Sequence, residues 1–211
     1  MKNSRHRVGI MGGTFDPVHI GHLMLAERAY EQFDLETVLF MPSGNPPHKR
    51  NRNDVTDAMD RLEMVRLAIQ DNPHFSLDAE EILRGGYSYT NETLRILREE
   101  NPDTDYYFII GGDSLMSFDT WVRPDVIAAN CILLAAVRDG LDTKTMELKM
   151  QELQKRYGAD VRLLHTPDVD ISSSQIRTWN QESRSIRYFV PDAVLQYIRE
   201  KGLYRTSGKE L

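Results

Sequence analysis

Two histidines three residues apart, His19 and His22, follow a glycine pair in the stretch GGTFDPVHIGH, residues 12–22. Gly12 and Gly13 permit a tight turn and a close approach of backbone N–H groups to an anion. Asp16-Pro17 reads as a turn before a helix starting near His19. That helix end would add unpaired N–H groups and a positive dipole at the same place. A spacing of three lets both imidazoles project from one helix face. Ring N–H donors there suit a phosphate chain, above all one gaining charge in a transition state. Familiar phosphate and metal motifs fit the stretch less well. A dinucleotide fingerprint needs G-x-G-x-x-G and a P-loop ends in Gly-Lys-Ser/Thr, and neither is present. HIGH lacks the glutamate and spacing of the zinc motif H-E-x-x-H. Packing of two satisfied core histidines stays open.

A second polar cluster stands in VDISSSQIR, residues 169–177. Ser172, Ser173 and Ser174 open a predicted helix, where hydroxyls cap backbone donors or reach an anion. Arg177 lies one turn further on, placed to meet a phosphate oxygen in bidentate fashion. Between these motifs, PSGNPPHKR (42–50) presents Lys49 on a proline-stiffened loop, for a substrate phosphate or for solvent. GGYSYTNETL (85–94) puts Ser88, Tyr89 and Thr90 at a helix start, where capping alone would also explain them. IIGGDSLMSFDTW (109–121) sets Asp113 at a strand end, able to accept ribose hydroxyls. Trp121 follows, as a stacking face for an aromatic ring or as ordinary core.

The elements that must position these groups alternate along the chain. Strand-like runs fall at 7–11, 37–42, 75–79, 105–110, 131–137 and 160–165; those at 37, 105 and 131 are almost continuously apolar, as in strands covered on both faces. Helical patterns occupy 19–33, 56–70, 91–100, 143–157 and 192–201, and Leu62, Val65 and Ile69 share one face of the second. Alternation of this kind predicts a parallel sheet of right-handed crossover units. The fold class is a Rossmann-like three-layer α/β/α arrangement with a small helical element at the C-terminus. The glycines after the first strand, GGDS after the fourth and VRDG after the fifth all fall at carboxyl strand ends, where such sheets bind ligands.

The chain has 211 residues, 40% hydrophobic and 27% charged, with 26 basic against 32 acidic side chains, a net charge of −6. That balance argues against a general nucleic-acid or anionic-membrane binder while allowing a small anionic substrate. Cys131, the single cysteine, sits in the apolar run NCILLAAV and reads as a buried, inert thiol. The N-terminal apolar run is too short for a signal peptide and no run approaches a membrane span, so the expected address is the cytoplasm.

GGTFDPVHIGH resembles the T/H-x-G-H motif of the nucleotidyltransferase superfamily, shared in looser form with class I aminoacyl-tRNA synthetases. VDISSSQIR is similar to its I-S-S-T-x-I-R motif, with Ser174 where threonine is usual. A synthetase is disfavoured, because no K-M-S-K-S stretch is present and 211 residues leave no room for an anticodon domain. From Val8 to about Tyr204 the chain resembles the bacterial nicotinate mononucleotide adenylyltransferases. The resemblance implies one nucleotidyltransferase domain over residues 1–211. It also implies transfer of AMP from ATP to nicotinate mononucleotide, with Mg²⁺ held mainly by ATP phosphates and water. ATP binding would fall to Gly12, Gly13, Thr14, Phe15, His19, His22, Ser172, Ser173 and Arg177, and catalysis to His19, His22 and Arg177. The acceptor would be held by Lys49, Ser88, Tyr89, Thr90, Asp113, Trp121 and Arg138. The usual A-R-P-G after the fifth strand stands here as AVRDG, which keeps Arg138 and loses the proline. A homodimer, with no nucleic-acid or membrane partner, is also implied. A preference for nicotinamide mononucleotide, or a nucleotide sensor without turnover, are the alternatives.

Overall fold

The structure, a computed structural model, describes residues 5–45, 55–138 and 143–205. Its centre is a parallel sheet of β1 (His6–Gly13), β2 (Thr37–Pro42), β3 (Phe75–Leu77), β4 (Thr104–Gly111), β5 (Ile132–Arg138) and β6 (Val161–Thr166). The strand order is β3-β2-β1-β4-β5-β6. The chain winds outward from β1 to β3, then returns to the other side of β1 to continue with β4. This reversal opens a crevice between the carboxyl ends of β1 and β4.

Neighbouring residues of each strand face opposite sides, so the near-continuous apolar runs serve two cores. Met11, Tyr107, Ile109 and Leu134 meet Ala26 and Ala29 of α1 (Ile20–Gln32), Met64 and Val65 of α2 (Ala58–Ile69), Ile176 of α8 (Ser173–Gln181) and Val194 of α9 (Asp192–Glu200). On the other face Ile10, Phe108, Ile110 and Leu133 pack with Leu94 of α4 (Thr90–Glu100), Ile127 of α6 (Pro124–Asn130) and Leu153 of α7 (Thr143–Tyr157). The result is the expected three-layer architecture. α9, the C-terminal helical element, lies against α2, where the Tyr197 hydroxyl donates to Oδ1 of Asp60 at 2.7 Å.

The differences from the sequence-based expectation are local. β3 is only three residues long. Gly12 and Gly13 are the last residues of β1, paired with Met41 and Pro42, rather than a turn after it. Two further short helices, α3 (Glu80–Arg84) and α5 (Gly112–Met116), and a 3-10 turn at Phe118–Thr120 fill stretches with no pattern. α5 places Asp113 in its first turn instead of at a bare strand end. Among the described residues no helix is long and apolar enough to cross a membrane.

Candidate active site

Two cavities open at the carboxyl edge of the sheet, with Gly12, Phe108 and Trp121 on the walls of both. The larger, about 740 Å³, is lined by Gly13, Thr14, Ser43, Ser88, Tyr89 and Thr90 among others. The smaller, about 570 Å³, takes its walls from His19, Gly21, His22, Asp113, Ser172 and Ser173. A Cβ on Gly12 would stand 3.2 Å from the Phe108 ring, so glycine keeps the partition between the cavities thin.

His19 is the N-cap of α1 and His22 its third helical residue. The backbone N–H of His19 donates to Nδ1 of His22 at 3.2 Å. An accepting Nδ1 carries no proton, so the neutral His22 ring has its proton on Nε2 and is a donor there. The two rings stack with centroids 3.7 Å apart, and Phe15 meets His22 edge-on at 5.0 Å. Burial pushes the His19 imidazole down to about 4. Burial, helped by the His19 ring beside it, holds His22 well below its ordinary value. Among the described residues, none hydrogen-bonds the buried Nδ1 of His19. At neutral pH the site therefore offers two uncharged imidazoles on the wall of the smaller cavity.

α8 enters the site through a capping box. Oγ of Ser172 accepts from the N–H of Gln175 at 3.2 Å, while the N–H of Ser172 donates to Oε1 of Gln175 at 2.8 Å. The Ser173 hydroxyl donates to the Pro17 carbonyl at 2.8 Å, and Nη1 of Arg177 donates to the Asp16 carbonyl at 2.7 Å. The two motifs, about 160 positions apart in sequence, are thus bonded to each other, with one of the five Arg177 N–H donors used in the link.

The structure thus gathers Gly12, His19, His22, Ser172 and Ser173 at the smaller cavity, and Gly13, Thr14, Ser88, Tyr89 and Thr90 at the larger, with Trp121 common to both. Asp113, expected on the acceptor side, lines the histidine cavity. Phe15 lines neither; its side chain is in the core against Phe40, and its backbone has a φ of 52°. Arg177 stands behind the loop it holds. Arg138 ends β5, and Lys49 lies outside the described residues.

Sequence reasoning missed the groups that brace these walls. Arg61 and Asp16 are each only 1% exposed. Asp16 accepts from the Tyr204 hydroxyl at 2.7 Å. Glu81 is buried beside the larger cavity, where burial raises its carboxyl and the Thr93 hydroxyl donates to it at 2.7 Å. A charge inside an amphipathic pattern was the available signal for Arg61; for Asp16 and Glu81 no pattern existed.

A parallel sheet with a histidine-bearing helix start at its switch point, bonded to a serine-capped second helix, defines a Rossmann-like α/β fold with two adjoining cavities at its carboxyl edge. The chain belongs to the cytidylyltransferase-like family, whose model matches residues 10–179. A protein of Lachnoclostridium phytofermentans named "Probable nicotinate-nucleotide adenylyltransferase" is 46% identical to it over 198 residues, covering 94% of this chain and 98% of its own. A protein of the same name from Moorella thermoacetica is 42% identical over 200 residues, covering 94% and 92%. The Plasmodium falciparum nicotinic acid mononucleotide adenylyltransferase complexed with NaAD shares the fold, with a TM-score of 0.77 at 19% identity over 94% of this chain and 97% of that one.

Proposed function

We propose that this chain transfers AMP from ATP to nicotinate mononucleotide, giving nicotinate adenine dinucleotide and pyrophosphate. The observation that carries the reading is the meeting of the two cavities at Gly12 and Trp121, with the stacked His19–His22 pair on one side. ATP belongs in the smaller cavity, its phosphates against the imidazoles and the start of α8. The mononucleotide belongs in the larger, its pyridine ring near Trp121 and the Ser88–Thr90 segment. Its 5′-phosphate is already anionic near pH 7, so attack on the α-phosphorus needs no general base. An oxygen–phosphorus bond forms as the bond to the pyrophosphate oxygen breaks, and catalysis is alignment plus neutralisation of charge.

His22 contributes a fixed Nε2–H donor. Negative charge gathering at the α-phosphate strengthens that donor's bond where it is needed. Gly12 and Gly13 let the phosphate approach the strand end closely.

Mg²⁺ fits this site as a companion of ATP. Among the described residues no group of three or more His, Cys, Asp or Glu is gathered to hold an ion. The Asp113 carboxylate, exposed on the wall of the smaller cavity, leaves phosphate oxygens and water as the main donors. When bound, the ion supplies neutralisation of triphosphate charge.

The test is pyrophosphate release from ATP and Mg²⁺ with nicotinate mononucleotide, nicotinamide mononucleotide or 4′-phosphopantetheine offered in parallel. The first should be preferred, and His22→Ala should lower turnover by about 10²–10³-fold. Preference for another acceptor overturns the substrate assignment, and unchanged turnover in His22→Ala overturns the phosphate-binding assignment.

A further inference from the structure

Arg61 touches neither cavity, yet four of its five N–H donors are committed to backbone carbonyls. Nη1 donates to the Thr14 carbonyl at 2.7 Å and to the Ser43 carbonyl at 2.7 Å. Nη2 donates to the Gly44 carbonyl at 2.9 Å, and Nε to the Thr56 carbonyl at 3.0 Å. Four backbone acceptors, one from the β1–α1 connection and three from the β2–α2 connection, thus converge on one side chain. Burial disfavours such a cation, and the charge of Asp16 nearby offsets part of that cost.

Thr14 and Ser43 both line the larger cavity. Thr14 precedes Phe15, whose ring meets His22. On the other side the Gly44 N–H donates to Oγ of Ser88 at 3.0 Å, and the Ser88 N–H donates to the Asn45 carbonyl at 3.0 Å. A continuous set of hydrogen bonds therefore runs from the loop before the histidines, through Arg61, to the segment carrying Tyr89 and Thr90. A side chain present only to fill space beneath α2 would be a methionine or leucine. The planar fork is what joins separate carbonyls at fixed angles.

We propose that Arg61 is a positioning residue for the transfer step, holding the phosphate-binding loop and the acceptor wall at the separation that in-line attack requires. The role rests on the transfer reading given above. A misplacement of about 1 Å in such an alignment costs on the order of 10²-fold in rate. Lysine can reach some of these carbonyls but cannot reproduce the fork.

The experiment compares wild type with Arg61→Lys by steady-state kinetics, by calorimetric binding of ATP alone and of the acceptor alone, and by thermal melting. Expected is a folded variant that binds each ligand within about threefold of wild type while kcat falls by about 10²-fold. A kcat within about threefold of wild type, or a loss wholly accounted for by weaker binding of one ligand, overturns the role. If Arg61→Lys does not fold, Arg61→Gln is read by the same criteria; if neither folds, Arg61 is a folding determinant and the role is overturned. The two assignments fail separately. Unchanged kcat in Arg61→Lys alongside a crippled His22→Ala removes the positioning role alone, whereas wild-type protein that releases no pyrophosphate with any acceptor removes both.

Discussion

A Cβ added to Gly21 would lie 3.1 Å from Nδ1 of His19 and 3.2 Å from its Cε1. The glycine between the histidines thus leaves room for the first imidazole to lie flat on the second. Gly21→Ala should displace the His19 ring while suiting the helix backbone slightly better. Stability should stay within about 1 kcal/mol of wild type by urea titration, and turnover should fall by roughly tenfold or more. Unimpaired turnover would show that the ring stack is incidental to catalysis.

Proton linkage gives a second test. His19 titrates at about 4 when folded and near 6.5 as an ordinary imidazole, and His22 is shifted the same way. Between those values the unfolded chain binds more protons, so this contribution to stability is complete above about pH 6.5 and is lost as the pH falls toward 4. For His19 alone the loss is on the order of 3 kcal/mol. Urea midpoints at pH 7 and pH 4.5 should therefore fall further in wild type than in the His19→Asn/His22→Asn double variant. Equal losses in the two proteins would contradict burial of neutral rings.

Trp121 is held edge-on to Phe108, with centroids 6.2 Å apart, and packs at 5.7 Å from Phe118. Its turn is pinned by Asp119, which pairs with Lys149 and accepts from the Tyr157 hydroxyl at 2.9 Å. Trp121→Ala should raise the acceptor KM about tenfold by removing a stacking face, and Trp121→Phe should recover most of the loss. An acceptor KM that does not move would place the pyridine ring elsewhere.

The strands and long helices were legible because their apolar period extends over several turns or residues. The run at 143–157 matches α7 end to end. α3, α5 and α6, at five to seven residues, are too short to display a helical period, and α6 follows Arg123 with a φ of 53°. The buried face of α2 consists of Arg61, Met64, Val65 and Ile69. Reading Leu62, Val65 and Ile69 as that face finds the helix and passes over the arginine, because hydropathy assigns a guanidinium to solvent. Similarly, Asp16 before Pro17 signals a turn, and nothing local announces that Tyr204 and Arg177 will close over it. Chemistry carried by a short motif was readable; bracing supplied from distant backbone was not.

Tyr204→Phe tests that bracing directly. The change removes the 2.7 Å bond to Oδ1 of Asp16 without altering the ring. Leaving a buried carboxylate short of a donor costs about 1–3 kcal/mol, read as a lower urea midpoint at unchanged m-value. A variant as stable as wild type would mean that Thr56, whose N–H donates to Oδ2 at 3.4 Å, suffices for Asp16.

Asp16 and Tyr204 are 188 positions apart, the widest separation of any side-chain hydrogen bond described in the chain. The loop before the histidines is therefore closed by a contact that spans almost the whole fold, with β2 to β6 and both helical layers lying between its two ends in sequence. Contacts of such long range are entropically slow to close, so the histidine site should be completed late in folding, after the sheet that carries it, rather than nucleate it.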